Sequence, residues 1–328
     1  MTRIPHCRRT GARHYVSGVA GNSKRAIIAA LFANLGIAVA KFAGFLITAS
    51  SSLLAESIHS VADTGNQALL LLGGRKASKQ PTAAHNFGYG RERYFWSFVV
   101  ALVLFSLGSL FAIFEGIEKL RHPHELESPA VAIGILLVAV ALESWSFRTA
   151  VRESRPLKGD LSWWQFIRRA KQPELPVVLL EDFGALTGLS FALVAVSLTV
   201  VTDNSTWDAS GTIMIGTLLG VIAVVLAHEM KSLLIGESAD PEVRQTIEDT
   251  IARSEHTVAL IHLRTQHIGP DEVLVGAKID FGNTGTPAQL AAHIDAVEAE
   301  IRAAVPVATV IYLEPDIQRM TEEEQAAT

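Results

Sequence analysis

The chain has 328 residues, 49% of them hydrophobic and only 19% charged, which is longer and more apolar than one soluble domain. Its net charge of −5 decides little, because the basic residues are unevenly placed. The single cysteine, Cys7, excludes an intramolecular disulfide and a cysteine-based zinc site.

Residues 1–25 are polar and arginine-rich, with no apolar stretch before a small-residue cleavage site, so they do not read as a signal peptide; a basic cytoplasmic tail is the plainer expectation and a transit peptide the less favoured alternative. Apolar runs then predict six membrane spans, at 26–49, 52–73, 95–118, 129–150, 176–201 and 209–230. The first carries a lone cation, Lys41.

The second is unusual. Glu56, His59, Asp63 and Asn66 fall within roughly 80° of one another on a helix and form one polar stripe on a segment otherwise fit for lipid. An ionisable group at the bilayer centre costs about 2.5–3.5 kcal/mol on insertion scales, so several on one face point to function. A His and a carboxylate at i, i+4 offer two ligands to a divalent cation from one helix. Asn66 reads either as a ligand or as a packing hydrogen-bonder, and Glu56 as snorkelling outward or pairing with Lys41.

Between spans two and three, the loop carries Arg75, Lys76, Lys79, Arg91 and Arg93, and also His85, which reads as a turn residue or a weak second metal ligand. Span four contains Glu143, expected to pair or to line the pathway. Arg152, Arg155, Lys158, Arg168, Arg169 and Lys171 precede span five. The alternate connections hold only Lys119 and Arg121, so the positive-inside rule puts both termini in the cytoplasm.

Span five begins near Pro176 and places Glu181 and Asp182 close to its cytoplasmic end. Asp182 lies about 9 Å into the membrane, and Asp63, entering from the other side, about 18 Å down, roughly 12 Å from the inner face. The two carboxylates therefore fall at similar depth, and Gly184 and Gly188 permit close helix approach beside Asp182. One imidazole with two or three carboxylates can balance a divalent ion and still exchange it for protons.

Beyond residue 231 the apolar runs stop. A helix at 241–254, strands at 258–264 and 273–281, a helix at 287–304 and a strand at 308–313 predict a small α+β domain over 232–318, followed by an acidic tail at 319–328. The expected fold class is thus an all-α six-helix transmembrane domain (26–231) followed by a small cytoplasmic α+β domain. No phosphate-cradling loop occurs, so nucleotide hydrolysis is not expected, and neither a nucleotide nor a nucleic acid is an expected partner. Enzyme chemistry is not expected either, since no metallohydrolase pattern is evident.

The segment Ser50-Ser-Ser-Leu-Leu-Ala-Glu-Ser-Ile-His-Ser-Val-Ala-Asp63, the loop His85-Asn-Phe-Gly-Tyr-Gly-Arg91, Ser232-Leu-Leu-Ile-Gly-Glu237, His262-Leu-Arg-Thr265 and Glu314-Pro315 together resemble the cation diffusion facilitator family of divalent-metal/proton antiporters. The likeness runs from about Lys24 to Asp316. It implies a homodimer, one transport site per protomer between spans two and five, and a metallochaperone-like (ferredoxin-like) cytoplasmic domain that aids dimerisation. It also implies proton-coupled efflux of a divalent metal across the cell (inner) membrane, zinc first. His59 favours borderline ions over magnesium and calcium, and an oxygen-rich site keeps manganese, iron and cobalt open.

Two positions depart from that pattern. Where the family commonly has a second donor one turn before Asp182, this chain has Val178, and Glu181 is the neighbouring group able to supply it or merely to support the site. The sequence Leu-Leu-Glu-Asp resembles the subgroup that includes mitochondrial zinc exporters. The tail positions that align with the family's zinc-binding strands are Ile261, Ala277 and Tyr312, with only Glu314 acidic, so weak zinc binding by the tail is expected. The rival reading is a non-transporting membrane metal sensor, whose mark would be a metal-rich tail.

Overall fold

The computed structural model describes residues 34–123 and 128–317. The basic tail at 1–25, the start of the first span and the acidic tail at 319–328 lie outside the described residues. The protein is mostly helical and carries a small mixed sheet near its C-terminal end.

Helix α1 (Asn34–Thr48) is apolar, and α2 (Ser51–Ala77) follows almost at once. The turn between them contains Ala49 at φ 52°. Next come α3 (Glu92–Arg121), α4 (Pro129–Lys158), the short α5 (Trp163–Arg169), α6 (Glu174–Thr202) and α7 (Thr206–Ile235). Four of the described helices, α3, α4, α6 and α7, are long and apolar enough to cross a membrane. Helix α2 has the length, at 27 residues, but not the composition, because its polar stripe interrupts the apolar run.

The helices outlast the predicted spans by up to several residues at either end. The extra turns are the charged feet, Arg75 and Lys76 on α2 and Arg155 and Lys158 on α4. Helix α7 continues to Ile235, so the boundary drawn at 231 falls inside a helix. Sequence reading missed α5, although its signal was present: Ser162 and Gln165 form a reciprocal capping box.

By contacts, the chain divides into two compact units. One takes residues up to Leu71 with Val100–Val151 and Leu179–Val224; the other takes Leu72–Val99, Arg152–Val178 and everything from Val225 onward.

In the first unit, α3 and α7 approach closely through glycine. A Cβ on Gly216 would sit 2.8 Å from the Ile113 amide nitrogen and 2.9 Å from the Ser109 carbonyl. Helix α3 relaxes into a π-helical stretch at Leu104–Leu110, which includes the buried Gly108 and Ser109. On α6, Gly184 faces Ile222 of α7, whereas Gly188 faces Glu56 of α2. The small-residue face expected beside Asp182 thus serves α7 and Glu56.

The start of α2 is fixed by a polar network that sequence reading did not find. Ser50 Oγ accepts from the Leu53 amide at 3.3 Å and donates to Asp208 Oδ1 at 3.1 Å, while the Ser51 amide donates to Asp208 Oδ2 at 3.0 Å. A carboxylate and a serine thereby cap the helix's positive end. Lys119 completes the network by donating to Asp208 Oδ2 and to the Ala49 carbonyl, both at 3.1 Å. Lys119 is therefore not a loop residue: it ends an apolar helix with 4% exposure, and Asp208 is fully buried.

In the second unit, α8 (Pro241–Arg253) and α9 (Pro287–Ala304) pack with a three-stranded sheet in the order β1-β2-β3. Strands β1 (Ala259–Gly269) and β2 (Glu272–Asp280) pair antiparallel across a tight turn. Strand β3 (Ala308–Pro315) pairs parallel with β2, a connection that needs the crossover α9 supplies. Along β2 the buried residues Val273, Val275, Ala277 and Ile279 alternate, and they meet Ile247 and Ile251 of α8 and Val297 and Ile301 of α9. Ala277 is thus a core residue, whereas Tyr312 is exposed.

The His85–Arg91 loop belongs to this unit. Thr82 and His85 exchange backbone hydrogen bonds and the His85 ring lies 4.6 Å from that of Tyr89, so His85 shapes a turn. Gly88 has φ +84°, and a Cβ on Gly90 would meet the Ile268 carbonyl at 2.7 Å, so each glycine has its own steric reason. Beside them Arg93 pairs with Glu174, in the first turn of α6, and with Asp271 in the β1–β2 turn.

Candidate metal-transport site

Helix α2 delivers its stripe to the interior. Glu56, His59 and Asn66 are fully buried and Asp63 nearly so, as helical spacing on one face requires. His59 Nδ1 lies 3.6 Å from Asp63 Oδ1, close enough for electrostatic attraction but too far for a hydrogen bond. Both His59 ring nitrogens and Asp63 Oδ1 are buried with no hydrogen-bond partner in the chain. Each such orphan costs about 1–3 kcal/mol, so three at one place mark a site built to meet something other than its own side chains.

The α6 carboxylates face two different neighbours. Glu181 is buried, and its Oε1 accepts from Asn66 Nδ2 of α2 at 2.6 Å. Asp182 is half-buried, and its Oδ2 accepts from Ser146 Oγ of α4 at 3.0 Å. Glu143 lies one turn before Ser146 on α4, is 8% exposed, and makes no hydrogen bond or ion pair among the described residues. Glu181, Glu143 and Asp182 all act electrostatically on Asp63, so four carboxylates from three helices share one field.

These groups do not form a finished cage. Among the described residues, no three His, Cys, Asp or Glu side chains converge closely enough to hold a metal ion. What exists is half a site on α2, with neutral partners holding the α6 carboxylates. Val178, one turn before Asp182, offers no donor. Of the two α6 carboxylates it is Glu181 that reaches α2, and Asp182 that turns to α4.

Glu56 does not snorkel. Lys41 Nζ donates to Glu56 Oε2 at 3.1 Å and to Ser60 Oγ at 2.8 Å, with both charged groups at 1% exposure or less. Sequence reading missed Ser146, although its spacing from Glu143 was a usable signal, since i, i+3 residues share a helix face.

Residues 27–235 match the cation efflux transmembrane domain. The chain belongs to the cation efflux (cation diffusion facilitator) family. It is similar to the mitochondrial proton-coupled zinc antiporter SLC30A9 of Homo sapiens, 31% identical over 244 residues, covering 74% of this chain and 43% of that protein. The Xenopus laevis protein of the same name is 34% identical over 268 residues, covering 80% and 48%. Metal tolerance protein C4 of Arabidopsis thaliana is 31% identical over 265 residues, covering 79% and 57%. The chain thus spans about half the length of the curated relatives it matches. As a cation efflux family member with several membrane-length apolar helices, it is an integral membrane protein of a transporter family, not of an enzyme family.

Proposed function

We propose that the chain exports a divalent transition-metal ion, zinc first, from the cytosol in exchange for protons. The observation that carries this reading is the trio of unpaired buried atoms at His59 and Asp63, one turn apart on α2. Zinc binds the neutral imidazole and the ionised carboxylate, so any proton that either group carries must leave as the ion binds, and binding is thereby coupled to proton release. The relatives' names, which specify zinc and proton coupling, support the choice.

Capture exchanges hydrogen bonds for ligand bonds. Glu181 leaves Asn66 or Asp182 leaves Ser146, and the freed carboxylate joins His59 and Asp63; Asn66 Oδ1, also unpaired, is a further oxygen donor. Protons entering from the opposite side then neutralise the carboxylates, protonate His59 and lower affinity. Lys119 and Asp208 fix the start of α2, and with it the direction in which His59 points. Glu143 steers the cation by charge. The assembly we assign is a six-span homodimer in the cell (inner) membrane with both termini cytoplasmic; the address in the relatives' names is mitochondrial.

Replacing His59, Asp63 or Asp182 by Ala should each cut zinc flux by ~100-fold or more, since loss of even a supporting group costs 10–100-fold. Purified variants in proteoliposomes decide it. Near wild-type flux in His59→Ala or Asp63→Ala would remove α2 from the site, and the same result in Asp182→Ala would leave Glu181 as the α6 ligand.

A further inference from the structure

Glu56 of α2 and Lys41 of α1 have no part in the site as described, yet they form a buried ion pair one turn from it. Glu56 precedes His59 by three residues, one turn along the same face. Its Oε2 is held by Lys41, whereas Oε1 is buried and unpaired. That free oxygen faces Gly188 of α6, where a Cβ would come within 2.6 Å of it, so only glycine leaves Glu56 its place. A buried ion pair is a poor stabilising device, because well-packed apolar residues of similar volume often do as well or better. The pair is better understood by what each charge does to a passing cation.

Resting on the transport reading above, we infer that Glu56 is a second carboxylate station for the divalent ion, one turn beyond His59, and that Lys41 is a tethered cation competing with the metal for it. With no ion near, the ammonium neutralises Glu56. An ion that moves from His59 and Asp63 toward the Ser51 end of α2 must displace Lys41, and the displaced charge then repels it. Lys41 is therefore a positioning residue that keeps affinity low on the exit side. Its reach to Ser60, beside His59, gives the ammonium a second acceptor while Glu56 is engaged.

The test is zinc binding to the full chain in detergent at fixed pH, for the wild type, Lys41→Met, Glu56→Gln and the double variant. Removing the competitor alone should tighten zinc binding about tenfold and slow turnover, so KM and kcat fall together. Glu56→Gln strands the ammonium next to the site and should weaken binding about tenfold, while the double variant returns to within about threefold of wild type. If Lys41→Met does not fold, the comparison of Glu56→Gln with the double variant decides alone. Equal zinc affinities in those two proteins would overturn the inference and leave a structural ion pair. Failure of the unmutated chain to bind zinc would instead sink the transport reading itself.

Discussion

In the proposed transport site, Glu181 and Asp182 are the two α6 carboxylates that compete to complete the pair on α2. The Glu181 carboxylate accepts from Asn66 across the α2–α6 contact, whereas Asp182 is engaged by α4. If Glu181 supplies the donor that Val178 lacks, Glu181→Gln should weaken zinc binding ~10-fold and also lower the number of protons exchanged per ion, because an amide does not titrate. Adding Val178→His to that variant should restore part of the flux. Unchanged affinity and coupling in Glu181→Gln, measured by zinc titration and pH-dye release, would confine the site to His59, Asp63 and Asp182 with Asn66.

At the scale of elements, the orientation of α2 depends on a cap supplied from elsewhere in the chain. Asp208 holds the Ser50 hydroxyl, the Ser51 amide and the Lys119 ammonium, and Ser52 Oγ bonds its backbone carbonyl at 3.1 Å. Asp208→Ala leaves a buried ammonium without its counter-charge, which should cost about 3–5 kcal/mol, and adding Lys119→Met should recover much of it. Thermal unfolding of the purified single and double variants is the measurement; equal midpoints for the two would show that the charges do not depend on each other. None of this was legible in the sequence. Asp208 and Lys119 sit at the ends of apolar runs, where a charge ordinarily reaches water, and nothing local distinguishes a solvated end from a buried one. By contrast the α2 stripe was fully legible, because 100° per residue fixes which side chains share a face whatever the neighbours are.

For the molecule as a whole, periodicity revealed the long helices and the order helix, strand, strand, helix, strand in the tail to within a few residues. It did not reveal partners. That Glu181 faces Asn66 and Asp182 faces Ser146 depends on how α6 rotates against α2 and α4, which no single helix encodes. The second unit carries its own acid sensitivity. Burial opposes ionisation of Glu237, but hydrogen bonds from Lys171, at 2.6 Å, and from Ser232 outweigh it and hold the carboxyl below its ordinary 4.5. Burial, reinforced by the Lys171 charge, lowers His267 from its ordinary 6.5. Both folded-state values lie below the unfolded ones, so both contributions are complete above the unfolded values and are lost as pH falls through the folded ones. The link between the Glu237 carbonyl and the His267 amide, 2.8 Å long, should therefore loosen in acid. Hydrogen exchange at that amide, corrected for intrinsic rate, should accelerate between about pH 6 and pH 4, and constant protection across that range would contradict the assignment.

The central claim is exchange of metal against protons through His59 and Asp63. Proteoliposomes containing the purified chain, loaded with a zinc-sensitive dye and given an imposed pH gradient, test it most directly, with manganese, iron and cobalt run alongside. Zinc uptake should rise with an opposing proton gradient, should itself move protons the other way when no gradient is imposed, and should vanish in Asp63→Ala. Zinc flux that ignores the gradient, or that survives in Asp63→Ala, would contradict it.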